Sequence, residues 1–200
     1  FDLLRIPSIS TDPAFRADCA RAADWLVDDL RSLGFAAAAH ATPGHPMVVA
    51  QGGEGGPHLL FYGHYDVQPA DPLDLWKTPP FEPTLRDGRL YGRGAADDKS
   101  GIAMHLGAIR ALQRVLGHVP VQAVTLIEGE EECGGPLPEY VLQHPEIAQA
   151  DVIVIADVGN RAVGEPTFVT ALRGLVDATV EVRTLPRPAH SGMYGGPAPD

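Results

Sequence analysis

The 200 residues, 44% of them apolar, suffice for one or two globular domains with a buried core, and no apolar run approaches the roughly 18 residues that a membrane helix needs. A net charge of −11, from 15 Lys and Arg against 26 Asp and Glu, argues against a nucleic-acid-binding surface; a solvated acidic face accounts for most of the excess, and site carboxylates balanced by bound cations for part of it. Cys19 and Cys133 are too few for a disulfide framework and are not spaced as a Cys-x-x-Cys metal knuckle, so a reducing, cytoplasmic compartment is the expectation.

The chain begins in mid-pattern, with Leu3, Leu4 and Ile6 apolar as though a helix had been entered partway, so a preceding segment is expected. Asp12-Pro13 reads as a helix cap with proline in the first turn. Phe15, Cys19, Ala22, Leu26, Leu30 and Leu33 then recur at spacings of three and four, until Gly34 ends the helix. Cys19 falls on that apolar stripe and is expected to be a small core residue rather than a reactive thiol. Met47 to Ala50 and His58 to Tyr62 read as two neighbouring strands joined in a hairpin by the glycine-rich stretch 52–56. That stretch lacks both the Lys-Ser/Thr of a phosphate-binding loop and the spacing of a dinucleotide fingerprint. Residues 69–90, rich in proline, aromatics and acids, read as a long ordered loop that either shapes a substrate pocket or packs over the sheet edge. Ile102, Leu106, Ile109, Leu112 and Leu116 make a second helical stripe, and Val119 to Ile127 a buried strand, which gives a parallel strand, helix, strand crossover. Val152 to Ala156 is the next strand.

Chemistry-bearing residues cluster at the ends of these strands. The stretch from Tyr91 to Gly101 sets Asp97 and Asp98 between glycine-rich backbone and a helix start. An Asp-Asp pair alone is a common surface turn, but His64 and Asp66 end one apolar run, Glu131 and Glu132 follow another, and Asp157 a third. His64 and Asp66, two apart in extended chain, share a face. The pair fits either a structural hydrogen bond or a metal-ligating imidazole oriented by a carboxylate. Glu128, Glu130, Glu131 and Glu132 crowd four acids into five positions, which calls for a cation, a helix N-terminus or solvent screening. One histidine with several carboxylates and no thiolate suits Zn, Mn or Co, and Asp97 is the choice for a ligand shared between two ions about 3.5 to 4 Å apart.

Four stretches, 60–67, 91–99, 128–134 and 190–196, together resemble the co-catalytic metallopeptidase family of carnosinase, bacterial dipeptidases, acetylornithine deacetylase and succinyl-diaminopimelate desuccinylase. Gln68-Pro69 and the segment from Leu75-Trp76 to Phe81-Glu82-Pro83 look closest to its dipeptidase branch. The resemblance implies an α/β fold: a mostly parallel mixed sheet flanked by helices over residues 1–172, and the start of an inserted α+β lid or dimerisation domain over 173–200. It implies two Zn2+ ions (Mn2+ or Co2+ as alternatives) held by His64, Asp97, Glu132 and Asp157, with Asp97 bridging and a cis Asp97–Asp98 peptide. Asp66 becomes the orienting carboxylate, Glu131 the general base, and His190 a lid histidine that stabilises the transition state in a neighbouring subunit. Arg173-Gly174 and the alternation Val176, Ala178, Val180, Val182 mark the first lid strand.

The function implied is metal-dependent hydrolysis of the amide bond in dipeptides or N-acyl amino acids, by a homodimer formed through the lid. A binding or regulatory protein with the same fold and no turnover is the alternative. Cys133, Gly135, Ser100 and Pro188-Ala189 depart from the family's usual residues without removing a ligand. The family's last metal-binding histidine has no counterpart among the 200 residues, and His40, His45, His58, His105, His118 and His144 are not expected to replace it. The chain is therefore expected to be an inactive fragment that holds one ion tightly at most.

Overall fold

The computed structural model describes residues 1–185 and 187–196. A compact unit runs from Phe1 to Gly159, and a second begins at Asn160.

The first unit is built on a sheet of five strands: β1 (Ala36–His40), β2 (Met47–Gly52), β3 (His58–His64), β6 (Gln122–Glu128) and β7 (Val152–Ile155). Their order is β1-β2-β6-β3-β7. β2 runs against both its neighbours while β6, β3 and β7 pair in parallel, so β2 alone opposes the common direction. A two-stranded hairpin, β4 (Thr84–Arg86) and β5 (Arg89–Tyr91), stands apart from this sheet.

Both faces of the sheet are covered, and alternation along β2 and β6 divides the core accordingly. Val48, Ala50, Ala123 and Ile127 pack with Cys19, Ala22, Leu26 and Leu30 of α1 (Arg16–Ser32) and with Ile102, Leu106 and Ile109 of α2 (Lys99–Leu116). Met47, Val49, Val124 and Leu126 face the other way, towards Tyr140 of α3 (Leu137–Gln143) and Ile147. The expected cap is present, with the Asp12 carboxylate accepting from Ala14 N at 2.9 Å ahead of a 3-10 turn that leads into α1. Cys19 is fully buried, and burial pushes its thiol up to about 12.

The hairpin expected between β2 and β3 does not form, because β6 lies between them. All but the first residue of β6 are buried, and the strand most apolar on both faces takes the centre of the sheet. The glycine-rich stretch instead carries the chain past the start of β6, where Glu54 N donates to Val119 O at 3.1 Å. Gly53 sits at φ +70°, and a Cβ there would lie 2.2 Å from Val121 O. That position demands glycine for both its dihedral and its space.

Three other expectations change. The first residues form a single 3-10 turn, Leu3–Arg5, and then run extended, with Ile9 bridging Val67 in parallel; Pro7 cannot continue a helix. The expected loop over 69–90 gives way to the β4–β5 hairpin, which runs on to Tyr91 and is turned by Asp87-Gly88 with both residues at positive φ. The alternation at Val176, Ala178, Val180 and Val182 is not a strand. Those residues are exposed, and no described segment pairs with them, so alternation alone leaves the backbone without a ladder.

Candidate metal centre

His64 ends β3 at the carboxyl edge of the parallel strands, where open α/β sheets gather their ligands. Its side chain is fully buried. On one side, Nδ1 lies 3.1 Å from the carbonyl oxygen of Asp66 and 3.3 Å from its Oδ1. On the other, Nε2 lies 3.0 Å from Asp97 Oδ1, 3.5 Å from Asp157 Oδ2 and 4.0 Å from Glu131 Oε2. Three carboxylates thus converge on one ring nitrogen.

Each arrives on a different segment. Asp97 stands just before α2 with its side chain 64% exposed, Glu131 follows β6, and Asp157 follows β7. The Asp97–Asp98 peptide is cis, as the resemblance implied. Asp98 turns inward, accepts from His64 N at 3.2 Å through Oδ2, and leaves a buried Oδ1 without a partner among the described residues. Burial raises its carboxyl to about 6. Gly101 makes this possible, since a Cβ there would come within 2.1 Å of that Oδ1.

Asp66 is the hub beneath the ring. Its fully buried carboxylate accepts from Ser10 Oγ at 2.7 Å, from Glu131 N at 3.3 Å and from Glu132 N at 3.2 Å. One side chain thereby sets the histidine, the acidic turn and the N-terminal segment relative to one another.

The electrostatics favour added positive charge. Burial alone would lower the His64 pKa, but the hydrogen bond to Asp66 and the charges of Asp66, Asp98 and Asp157 outweigh it and push the imidazole up to about 10. Desolvation raises the carboxyls of Glu131 and Asp157 despite the attraction of His64. A proton on Nε2 can satisfy only one of the three carboxylates, whereas a divalent cation engages imidazole and several oxygens together. His64, Asp97 and Asp157 offer ligand atoms all within 4.8 Å of one another, the one such group among the described residues. This donor set fits a borderline divalent ion such as zinc.

Glu132 and His190 are the remaining candidates. Glu132 is outside the three-residue group, and its carboxylate accepts from Gln68 Nε2 at 2.9 Å. His190 belongs to the second unit, where its Nδ1 accepts from Gly192 N at 3.1 Å ahead of a single helical turn, Ser191–Tyr194.

Two supports escaped the sequence reading. Ser10 carries no local signal, because its partner is 56 residues away. Lys99, directly after the Asp pair, is buried, and its Nζ donates to Ile6 O at 2.8 Å and Leu3 O at 3.1 Å. It thus ties the first residues to the start of α2, and burial lowers its pKa to about 7.

The chain is similar in sequence and structure to known dipeptidases and peptidases. The chain is 42% identical over 184 residues to the cysteinylglycine-S-conjugate dipeptidase of Corynebacterium striatum, covering 90% of this chain and 40% of that protein. It is 32% identical over 205 residues to the human β-Ala-His dipeptidase, covering 94% and 40%. Among solved structures it resembles human carnosine dipeptidase 1 with a TM-score of 0.73 and 34% identity, over 78% of this chain and 37% of that one. The M20 family metallo-carboxypeptidase of Sulfolobus solfataricus matches with a TM-score of 0.71 and 34% identity, over 80% and 36%. The chain therefore spans about two fifths of the length of the curated relatives it matches. Residues 60–191 match peptidase family M20/M25/M40, and the chain, with its strand-end histidine and acids, belongs to that family.

Proposed function

We propose that the protein is a metal-dependent hydrolase that cleaves the amide bond of dipeptides or N-acyl amino acids, and that this chain supplies most of its metal site. The observation that carries the reading is the convergence of Asp97, Asp157 and Glu131 on Nε2 of the buried His64. The names of the relatives as dipeptidases support the substrate class.

In this reading His64, Asp97 and Asp157 hold one ion, and Glu132 joins Asp97 in holding a second. Two Zn2+ ions are proposed, with Mn2+ or Co2+ as substitutes. Such ions, when bound, polarise a scissile carbonyl and lower the pKa of water towards neutrality. Asp66 accepts the Nδ1 proton of His64, which leaves the Nε2 lone pair free to ligate. Glu131 stands 4.0 Å from that nitrogen and is the base that takes a proton from the attacking water and returns it to the leaving amine. Its raised carboxyl pKa suits both directions of transfer. His190 is assigned to stabilising charge on the substrate oxygen. The division into a catalytic part over 1–172 and the start of a lid from 173, dimerisation through that lid, and a cytoplasmic location complete the proposal.

Chelation of the full-length protein should abolish hydrolysis of a dipeptide panel, and Zn2+, Mn2+ or Co2+ should restore it. Unchanged turnover in metal-free protein would overturn the reading.

A further inference from the structure

Residues 69–93 join the two segments that carry His64 and Asp97, and they line an open pocket of their own, about 340 Å³ in volume. Lys77, Arg86 and Arg93 contribute three cations to its wall, against the single carboxylate of Asp71. Two aromatic rings complete it: the Arg86 guanidinium lies 4.0 Å from the centre of the Tyr91 ring, and that of Arg93 5.7 Å from Trp76. The frame is pinned, with Trp76 Nε1 donating to Ala70 O at 2.8 Å and Arg93 Nη2 to Pro69 O at 2.8 Å.

None of Lys77, Arg86 and Arg93 forms an ion pair with a carboxylate among the described residues. Among the described residues the buried Nε atoms of Arg86 and Arg93 have no hydrogen-bond acceptor, which leaves each donor with an uncompensated desolvation cost. The β4–β5 register also sets Arg86 directly across from Arg89, a like-charge pair that destabilises a hairpin unless something negative lies near it. Guanidinium groups stacked on aromatic rings are held in place for bidentate recognition of a planar or tetrahedral oxyanion.

We propose that this pocket is an oxyanion subsite, which binds a carboxylate or phosphate group between the Arg86 and Arg93 guanidinium groups with Lys77 at its rim. Both roots of the loop lead towards candidate ligands: Gln68 Nε2 donates to the Glu132 carboxylate at 2.9 Å, and Arg93 precedes Asp97 by four residues. An anion bound here would brace the loop that connects His64 to Asp97. The group comes either from an acidic substrate or from a free anion.

Sulfate titrated calorimetrically into the metal-loaded full-length protein at low ionic strength tests this without reference to turnover. Saturable binding is expected. Arg86→Gln, and separately Lys77→Gln, should weaken it about ten-fold or more, and added chloride should weaken it in the wild type. Dipeptides with and without a side-chain carboxylate distinguish the two sources. A KM that rises in Arg86→Gln for the acidic dipeptide alone, with kcat kept, assigns the subsite to substrate; weakened sulfate binding with both KM values unchanged assigns it to a free anion. If the wild type and both variants match in sulfate affinity and in KM for the acidic dipeptide, the subsite does not exist.

Discussion

Ser10 Oγ donates a 2.7 Å hydrogen bond to Asp66 Oδ2 across 56 residues of chain, and Asp66 is in turn the carboxylate beneath Nδ1 of His64. A hydroxyl on the N-terminal segment therefore sets the orientation of the one imidazole at the candidate metal centre. Groups that orient a ligand in this way typically contribute about 10- to 100-fold to metal affinity. Ser10→Ala should weaken metal binding by about ten-fold while leaving the fold intact. Competition against a chromogenic chelator measures this, and an unchanged affinity would show that Asp66 is held well enough by the Glu131 and Glu132 amides alone.

Glu131 and Glu132 are neighbours with separate proposed tasks, so their amides should fail differently. Glu131→Gln should retain metal and lose about 100- to 10,000-fold in turnover. Glu132→Gln should release one ion. Metal analysis that finds the reverse, with Glu131→Gln short of an ion and Glu132→Gln complete, would shift the assignment by one residue.

Two glycines of α2 provide a stability test. A methyl group at Gly101 would meet Asp98 Oδ1 at 2.1 Å, and Ala156 backbone limits retreat at 3.2 Å, whereas Gly107 has open space. Gly101→Ala should therefore cost about 1–3 kcal/mol through overpacking. Gly107→Ala should stabilise by up to about 1 kcal/mol, because alanine is the better helix former. Thermal unfolding of the two variants should move Tm in opposite directions.

The two cysteines differ in access. Cys19 is fully buried with its thiol pushed up to about 12, while Cys133 is exposed beside the acidic turn. A thiol reagent at pH 8 should label one cysteine in the native protein and two in denaturant. The folded Cys19 thiol stays neutral where an unfolded one, with its ordinary value near 9.0, ionises. Its burial therefore contributes stability that is fully present below about pH 9 and is lost as pH rises towards about 12. Native-state labelling of both thiols at equal rates would contradict the buried placement.

What the sequence determined by itself is what repeats locally. The spacing of Cys19, Ala22, Leu26 and Leu30 and of Ile102, Leu106 and Ile109 marked both long helices, because a period near 3.6 is written into consecutive residues. His64 and Asp157 were legible because each closes an apolar strand. β1 was not, since four alanines carry no strand preference and become one only by pairing with β2. The β4–β5 hairpin did have a signal, Asp87-Gly88, but a proline-rich setting masked it.

Only the tertiary structure decided that β6 enters between β2 and β3. Strand pairing is a contest among segments distant in the chain, which the most deeply buried strand wins for the centre. The same insertion brings the acidic turn after β6 alongside His64, so that Asp66 can hold the amides of Glu131 and Glu132. Residue types and strand ends named the candidates, but the convergence of three carboxylates on one nitrogen exists only because the parallel strands β6 and β7 deliver Glu131 and Asp157 to the edge where β3 ends, and the start of α2 brings Asp97 there.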